Sequence, residues 1–338
     1  MSKFSWEYGS VGRAAVSKTA GPGFKSWCSR QFLNQASSGL RDLERMGRLD
    51  QAPHFHILQP SESYIESIVA LALSEDIGSG DVTTQAVVDP RTRANAKLVA
   101  KQPGVICGMS VAQTAFRQLG AGLLFSAQVN DGGLVSGSGE VLATIAGNAS
   151  AILTAERVAL NFLQRLSGVA TLTARYVEAV GHAKARIVDT RKTTPGLRVL
   201  EKYAVTVGGG HNHRYGLSDG ILIKDNHIVA AGGVTQAIQR ARNNAHHLLK
   251  VEVEAKTLNQ VEEAVSAQAD VILLDNMDIT MLEQAVEIVA GRALTEASGG
   301  VNLATVAGIA STGVDLISVG ALTHSVSSLD ISLDFQPI

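Results

Sequence analysis

Cysteine is nearly absent, with Cys28 and Cys107 the only two in 338 residues. That is too few for a disulfide framework or a thiolate metal cage, and it fits a reducing compartment, so cytoplasmic residence is expected. Aromatic residues are also scarce, at 4%. No basic tract is interleaved with them, which argues against a base-stacking platform and against a nucleic-acid partner. No apolar run approaches the ~20 residues of a membrane span, so no membrane partner is expected either. An excess of one charge is missing too, since 29 Lys and Arg face 31 Asp and Glu for a formal charge of −2. Hydrophobic residues at 45% with only 18% charged describe a chain that buries a core. Its length suits two domains of ~100 to 200 residues.

What is present is unevenly placed. Residues 1–57 are Gly/Ser-rich, mildly basic and poorly periodic. They are expected to form a poorly ordered extension rather than a transit peptide, because Trp6, Glu7 and Tyr8 interrupt the pattern of such a leader. From Pro60 the pattern becomes regular. Ser61 is placed to cap a helix carrying Tyr64, Ile65, Ile68, Val69 and Ala72 at helical spacing, ended by Gly78 and Gly80. Short β-branched runs at 94–108, 123–133 and 140–147 predict a small antiparallel sheet. A long helix is predicted over 151–168, with Ala155, Val158, Ala159, Phe162, Leu163 and Leu166 as its apolar stripe. Arg157, Asn161 and Gln164 form a polar stripe that periodicity alone assigns to solvent.

Beyond Lys184, short apolar strands alternate with amphipathic helices: RIVD, ILIKD, LLKVEVE, VILLD, ALTEASG and LISVG. This rhythm predicts a β/α barrel of eight strands or fewer. Polar and charged residues recur at the strand ends, where barrel loops converge. They are Arg191 and Lys192; Lys224; Glu252 and Glu254; Asp275; Ser298, Gly299 and Gly300; and Gly320.

The stretch from Asp189 to Ile228 holds six Lys or Arg and three His against four acids. Cations crowded this way repel one another unless an anion sits among them. An Arg fork matches carboxylate or phosphate, and Lys adds a compact charge. Thr194-Pro195 reads as an N-cap and first helical residue. Gly208-Gly209-Gly210 suits a loop folding over a ligand or a flexible hairpin. His211 and His213 lack the further imidazole or thiolate that zinc would require. Glu254 and Asp275 end adjacent strands and form an oxygen-ligand pair suited to Mg2+, or else simply neutralise nearby lysines. Glu252 shares a strand face with Glu254, so the pattern does not choose between them. Ser298-Gly299-Gly300, ahead of a helix expected near Val301, and Gly320 at the next strand end suggest a phosphate cup.

Six segments carry a resemblance to a known family: EDIGSGDVTT at 75–84, AERVALNFLQRLSGVAT at 155–171, DTRKTTPGLR at 189–198, GGGHNHR at 208–214, IKDNHI at 223–228 and EASGG at 296–300. Together they resemble quinolinate phosphoribosyltransferase over roughly Pro60 to Phe335. The resemblance implies a type II phosphoribosyltransferase fold: an N-terminal α/β sandwich over 58–168, an incomplete β/α barrel over 169–321, and a C-terminal strand within 322–338 that rejoins the sandwich. It implies quinolinate and phosphoribosyl pyrophosphate as substrates. It also implies a homodimer, or a higher oligomer built from it, in which Arg157 enters the active site of the partner. By the same match Arg191, His213, Arg214 and Lys224 would hold quinolinate, and Lys192 would line the phosphates. Glu254 and Asp275 would bind Mg2+ or face the ribose. Ser298, Gly299, Gly300, Gly320 and His324 would receive the 5-phosphate, and Lys192, Lys224, Glu254 and Asp275 would act in catalysis. A related pyrophosphorylase for another anionic base, and a barrel that has lost its activity, are the rival expectations.

Overall fold

Ser61 holds an extended backbone (ψ 147°) while its hydroxyl accepts the Tyr64 amide at 3.3 Å, so helix α1 (Glu62–Ile77) starts where its cap predicts. It buries Ile65, Val69 and Leu73, and Gly78 ends it at φ +52°. The computed structural model describes residues 59–338 apart from Ala121, so the extension expected over 1–57 lies outside the described residues.

A short helix α2 (Val82–Val87) leads into β1 (Arg93–Ala100), β2 (Gly104–Val105), helix α3 (Met109–Leu119), β3 (Leu124–Ala127), β4 (Leu134–Val135) and β5 (Glu140–Asn148). Helix α3 was not anticipated; it buries Met109, Val111, Ala112, Ala115 and Phe116 on one face, and Asp131 Oδ1 accepts its Met109 amide at 2.9 Å. The sheet is antiparallel in the order β12-β1-β5-β3, where β12 (Ile331–Pro337) is the expected returning strand. Its register against β1 runs from Ala94↔Pro337 to Ala100↔Ile331.

Helix α4 (Ala149–Val180) is capped by Asn148, whose side chain accepts the Ala151 amide at 3.0 Å. It runs well beyond the predicted stop at Gly168. The glycine serves a close approach instead of a helix end, since a Cβ there would lie 2.3 Å from the Ser327 carbonyl oxygen. Glycine to alanine inside a helix ordinarily stabilises by ~1 kcal/mol. Here the clash with backbone reverses the sign, and Gly168→Ala is expected to cost about 1–3 kcal/mol. A urea midpoint at or above wild type would show that the Ser327 segment yields freely.

The second sheet is parallel, with strands β6 (Arg186–Val188), β7 (Ile221–Ile223), β8 (Val251–Ala255), β9 (Val271–Asp275), β10 (Leu294–Ser298) and β11 (Leu316–Ser318) in the order β6-β11-β10-β9-β8-β7. The last strand of the series pairs with the first, which curls the sheet into a barrel left open between β6 and β7. Helices α5 (Arg198–Val207), α6 (Asp225–Ala231), α7 (Val234–Asn244), α8 (Leu258–Ser266), α9 (Ile279–Val289), α10 (Val306–Ser311) and α11 (Ala321–His324) follow the strands. The predicted incomplete β/α barrel is therefore present, with all six expected strands.

Three local expectations are corrected. Thr194 is not an N-cap: Pro195-Gly196 forms a turn closed by Leu197 N to Thr194 O at 3.0 Å, and α5 starts only at Arg198. Gly208 and Gly210 do not fold over a ligand. Added Cβ atoms would meet Ala170 O at 2.3 Å and Thr173 Cγ2 at 2.8 Å, so these glycines let the chain pack on α4. Nor does a helix begin near Val301; α10 begins at Val306, after a turn in which Asn302 Oδ1 accepts the Ala304 and Thr305 amides at 3.0 and 3.2 Å.

Candidate active site

Alternation along β8 places Glu252 and Glu254 on one face at two depths. In register Leu222 stands beside Glu252, Leu273 beside both Glu254 and Glu296, and Asp275 beside Ser298. That face is continuous across β7 to β10, so the choice between the two glutamates dissolves: Glu254 lies nearer the mouth and Glu252 below it.

The gap between β6 and β7 is where the basic stretch enters. His211 adds one parallel rung to Val188, donating its amide to Ile187 O at 2.8 Å and accepting the Asp189 amide at 3.1 Å. The chain thus continues as a fragment of strand and carries His213 and Arg214 across the barrel interior. His213 Nε2 reaches Glu252 Oε2 at 2.9 Å on β8 and lies 3.7 Å from Glu296 Oε2 on β10. Arg214 donates to Gly220 O at 2.9 Å. Burial, and next the charge of Arg191, lower the pKa of the Arg214 guanidinium, while Glu252 offsets part of this. Four buried side-chain polar atoms lack a partner among the described residues: Arg191 Nε, Arg214 Nε, Glu252 Oε1 and Glu296 Oε1. All four belong to residues of this region.

Two ion pairs on α5, one of them fully buried, hold the loops that carry these groups. Lys202 is joined to Asp189, both fully buried, and also donates to His213 O at 2.9 Å. Asp189 further accepts the His213 amide at 2.9 Å and Asn212 Nδ2 at 2.6 Å. Beside it, Glu201 accepts Arg165 Nη2 at 2.8 Å, the Thr194 amide at 2.9 Å and the Thr194 hydroxyl at 2.8 Å. Thr194 Oγ1 also accepts Arg165 Nη2 at 3.2 Å, so the oxygen that would cap a helix is engaged.

At the mouth, burial and then the charge of Asp275 push the Glu254 carboxyl above its usual range, with Lys224 and Lys256 pulling it back. Lys256 Nζ lies 3.7 Å from Glu254 and 3.0 Å from Asp225. Two like charges in one site, with oxygen donors only, fit a hard divalent cation such as Mg2+. Lys192, Gly320 and His324 also meet: a Cβ at Gly320 would lie 3.0 Å from His324 Nε2 and 3.4 Å from Lys192 Cδ. The Thr323 hydroxyl holds Lys192 O at 2.6 Å. Gly299 and Gly300 take φ of +97° and +62°, and a Cβ at Gly299 would overlap Asn276 Oδ1 at 2.2 Å.

Arg157 stands outside this assembly. It is 60% exposed on α4 and its ion-pair partner is its neighbour Glu156 at 4.0 Å. Of the rest of the polar stripe, Asn161 is exposed and Gln164 donates to Ile331 O at 2.7 Å. At the opposite end of the barrel, Asp270, Leu294 and Asp315 line a cavity of about 790 Å³. Two of its cations are committed, with Lys184 on Asp315 at 3.0 Å and Arg242 on Asp270 at 3.4 Å. The residues that sequence reasoning passed over are Glu296, Lys202, Glu201 and Arg165. Glu296 did leave a signal, as an acid in a strand whose other residues are uncharged.

Models of two domains match the chain: quinolinate phosphoribosyl transferase, N-terminal domain, over residues 81–167, and its C-terminal domain over 169–334. The boundary between the matches falls within α4. The chain is 46% identical over 260 residues to a probable nicotinate-nucleotide pyrophosphorylase (carboxylating) of Bacillus subtilis, covering 77% of this chain and 89% of that one. It is 44% identical over 288 residues to a mitochondrial quinolinate phosphoribosyltransferase (decarboxylating) of Nicotiana tabacum, covering 80% and 81%. Among solved structures it is similar to NadC from Streptococcus pyogenes, with TM-score 0.80, 44% identity, and coverage of 83% of this chain and 99% of that one.

Proposed function

Because this chain belongs to the quinolinate phosphoribosyltransferase family, we propose that its barrel mouth is a bisubstrate site whose basic loops take the dicarboxylate and whose late strand ends take the ribose phosphates. The reaction transfers phosphoribosyl from phosphoribosyl pyrophosphate to quinolinate with decarboxylation, giving nicotinate mononucleotide, pyrophosphate and carbon dioxide for NAD biosynthesis. The observation that supports the site assignment most strongly is the pair of buried, unpartnered Nε donors on Arg191 and Arg214. Two adjacent guanidiniums with unspent donors are a receptor for carboxylates.

Arg191, His213, Arg214 and Lys224 hold the two carboxylates and set the pyridine nitrogen toward the anomeric carbon. That nitrogen is the nucleophile, so no enzyme nucleophile is needed. As pyrophosphate leaves, negative charge departs while positive charge grows on the ribose. Lys192 and Lys224 stabilise the first, and the Glu254 and Asp275 carboxylates stabilise the second. Glu254 and Asp275 would hold Mg2+, which would supply charge neutralisation at the departing pyrophosphate. Ser298, Gly299, Gly300, Gly320 and His324 take the 5-phosphate. Quaternisation of the ring nitrogen then stabilises the carbanion left when the adjacent carboxylate departs. Positioning supplies much of the remaining acceleration.

Arg157 enters the site of a second copy of the chain, in a homodimer or a higher oligomer. Its exposed position on α4, remote from any partner but Glu156, supports this. Cytoplasmic residence is part of the same proposal, resting on the paucity of cysteine. Among the described residues no helix is long and apolar enough to cross a membrane.

Purified protein mixed with quinolinate, phosphoribosyl pyrophosphate and magnesium should release pyrophosphate and carbon dioxide in equal amounts. Chelation of the magnesium should suppress both. Pyrophosphate release that is indifferent to quinolinate would overturn the substrate assignment.

A further inference from the structure

Arg198 is the first residue of α5, and the proposed transfer gives it no task. A cation in the first turn opposes the helix dipole, so α5 gains nothing from its charge. Its contacts are instead with three neutral oxygens, none of them a carboxylate. Nε donates to Thr193 Oγ1 at 3.1 Å and Nη1 to Tyr215 O at 3.0 Å, while Nη2 faces Arg191 O at 3.5 Å, the long edge of hydrogen bonding.

These oxygens lie on two segments. Arg191 and Thr193 belong to the loop after β6, and Tyr215 follows Arg214 on the segment that enters through the barrel's gap. One guanidinium thus spans the two stretches that carry the carboxylate-binding arginines. Lys202, one turn further along α5 and on the same helix face, donates to His213 O at 2.9 Å. The carbonyls on either side of Arg214 are therefore both tied to α5, His213 O by Lys202 and Tyr215 O by Arg198. Lys202 joins this segment to Asp189 at the base of the loop, and Arg198 joins it to Arg191 and Thr193 beyond.

The rest of the loop has tethers of its own. Thr323 holds Lys192 O, Arg165 and Glu201 hold Thr194, and the Tyr64 hydroxyl donates to Gly196 O at 2.7 Å. Loss of Arg198 would leave these in place and release the join between the two arginine-bearing segments. A lysine is no substitute, because an ammonium is a point charge and lacks the planar fork that reaches acceptors on two segments at once.

We propose that Arg198 is a positioning residue that fixes the separation of Arg191 and Arg214, and so sets the preference of the site for two carboxylates on adjacent ring carbons over one. The inference rests on the reading of Arg191 and Arg214 as carboxylate ligands given above.

The test is steady-state kinetics of the full-length protein at saturating phosphoribosyl pyrophosphate and magnesium. Pyridine-2-carboxylate and pyridine-3-carboxylate, each with one of the two carboxylates of quinolinate, serve as competitive inhibitors. Arg198→Lys keeps the charge and loses the fork. It should raise KM for quinolinate roughly ten- to a hundredfold, with smaller changes in kcat and in both inhibition constants. A wild-type KM, or equal weakening of quinolinate and the two monocarboxylates, overturns the proposal. Thr193→Val removes one acceptor and keeps the shape. It should raise KM in the same direction and add little to Arg198→Lys, because the two variants break one shared contact. Fully additive losses would make Arg198 a ligand in its own right and overturn positioning. Where Arg198→Lys does not fold, an unchanged KM in Thr193→Val overturns the proposal by itself. Arg214→Ala separates the two readings: an unchanged KM for quinolinate there sinks Arg214 as a ligand. A large loss there beside wild-type kinetics in Arg198→Lys sinks the role of Arg198 alone.

Discussion

Lys224→Ala should lose roughly 10²–10³-fold in kcat/KM while unfolding at the wild-type urea midpoint. The size follows from removing one preorganised charge from a site where charge separates. Stability should hold because Lys224 is exposed at the start of α6 and exposed side chains away from packing change stability little. Arg157→Ala should be comparably inactive for a different reason, and the pair tests the shared site. In a two-fold dimer, mixing the two inactive proteins after subunit exchange makes half the dimers hybrid, each with one intact site. Roughly a quarter of wild-type activity should return. Demonstrated exchange without recovery would mean that Arg157 serves its own chain or none.

Lys202→Met should destabilise the protein by about 3–5 kcal/mol, because it leaves Asp189 buried and unpaired. Burial raises the Asp189 carboxyl even though Lys202, the His213 amide and Asn212 all bind it, and burial lowers the Lys202 ammonium despite Asp189. Desolvation therefore outweighs pairing for both partners. A buried ion pair in that condition adds little net stability, yet is costly to break by halves. The double variant Asp189→Leu with Lys202→Met should accordingly recover much of the lost stability. It should not recover activity, since Asp189 also accepts the amide that places His213. Restored stability together with restored turnover would show that the pair is not what sets the 211–214 segment.

The fold was legible where local chemistry and burial agree. The Ser61 cap, the Gly78 stop and the strand-end residues from Asp189 to Gly320 follow from alternation and capping, which act over a few residues. The misreadings share one cause, which is a distant partner. Gly168 and Gly208 look like helix stops or hinges, but each makes room for backbone remote in sequence, Ser327 and Ala170. Thr194 looks like a cap, but its Oγ1 accepts from the distant Arg165 Nη2 at 3.2 Å. In the site, the basic loops and the mouth carboxylates were visible because they follow strands. The supporting layer was not: Glu296 sits two residues before Ser298 in β10, and nothing local says that His213, arriving through the barrel's gap, will lie between it and Glu252.

The pairing of β12 with β1 sets a timetable. Every rung joins residues from 94–100 to residues from 331–337, so during synthesis β1 waits with one edge bare until almost the whole described chain has been made. An unpaired edge is a template for a stray strand from another molecule, and the barrel must be translated during the wait. Late-made sequence thus finishes an early-made sheet. A ribosome stalled before residue 331 would present β1 as a long-lived site for misassembly or for a chaperone.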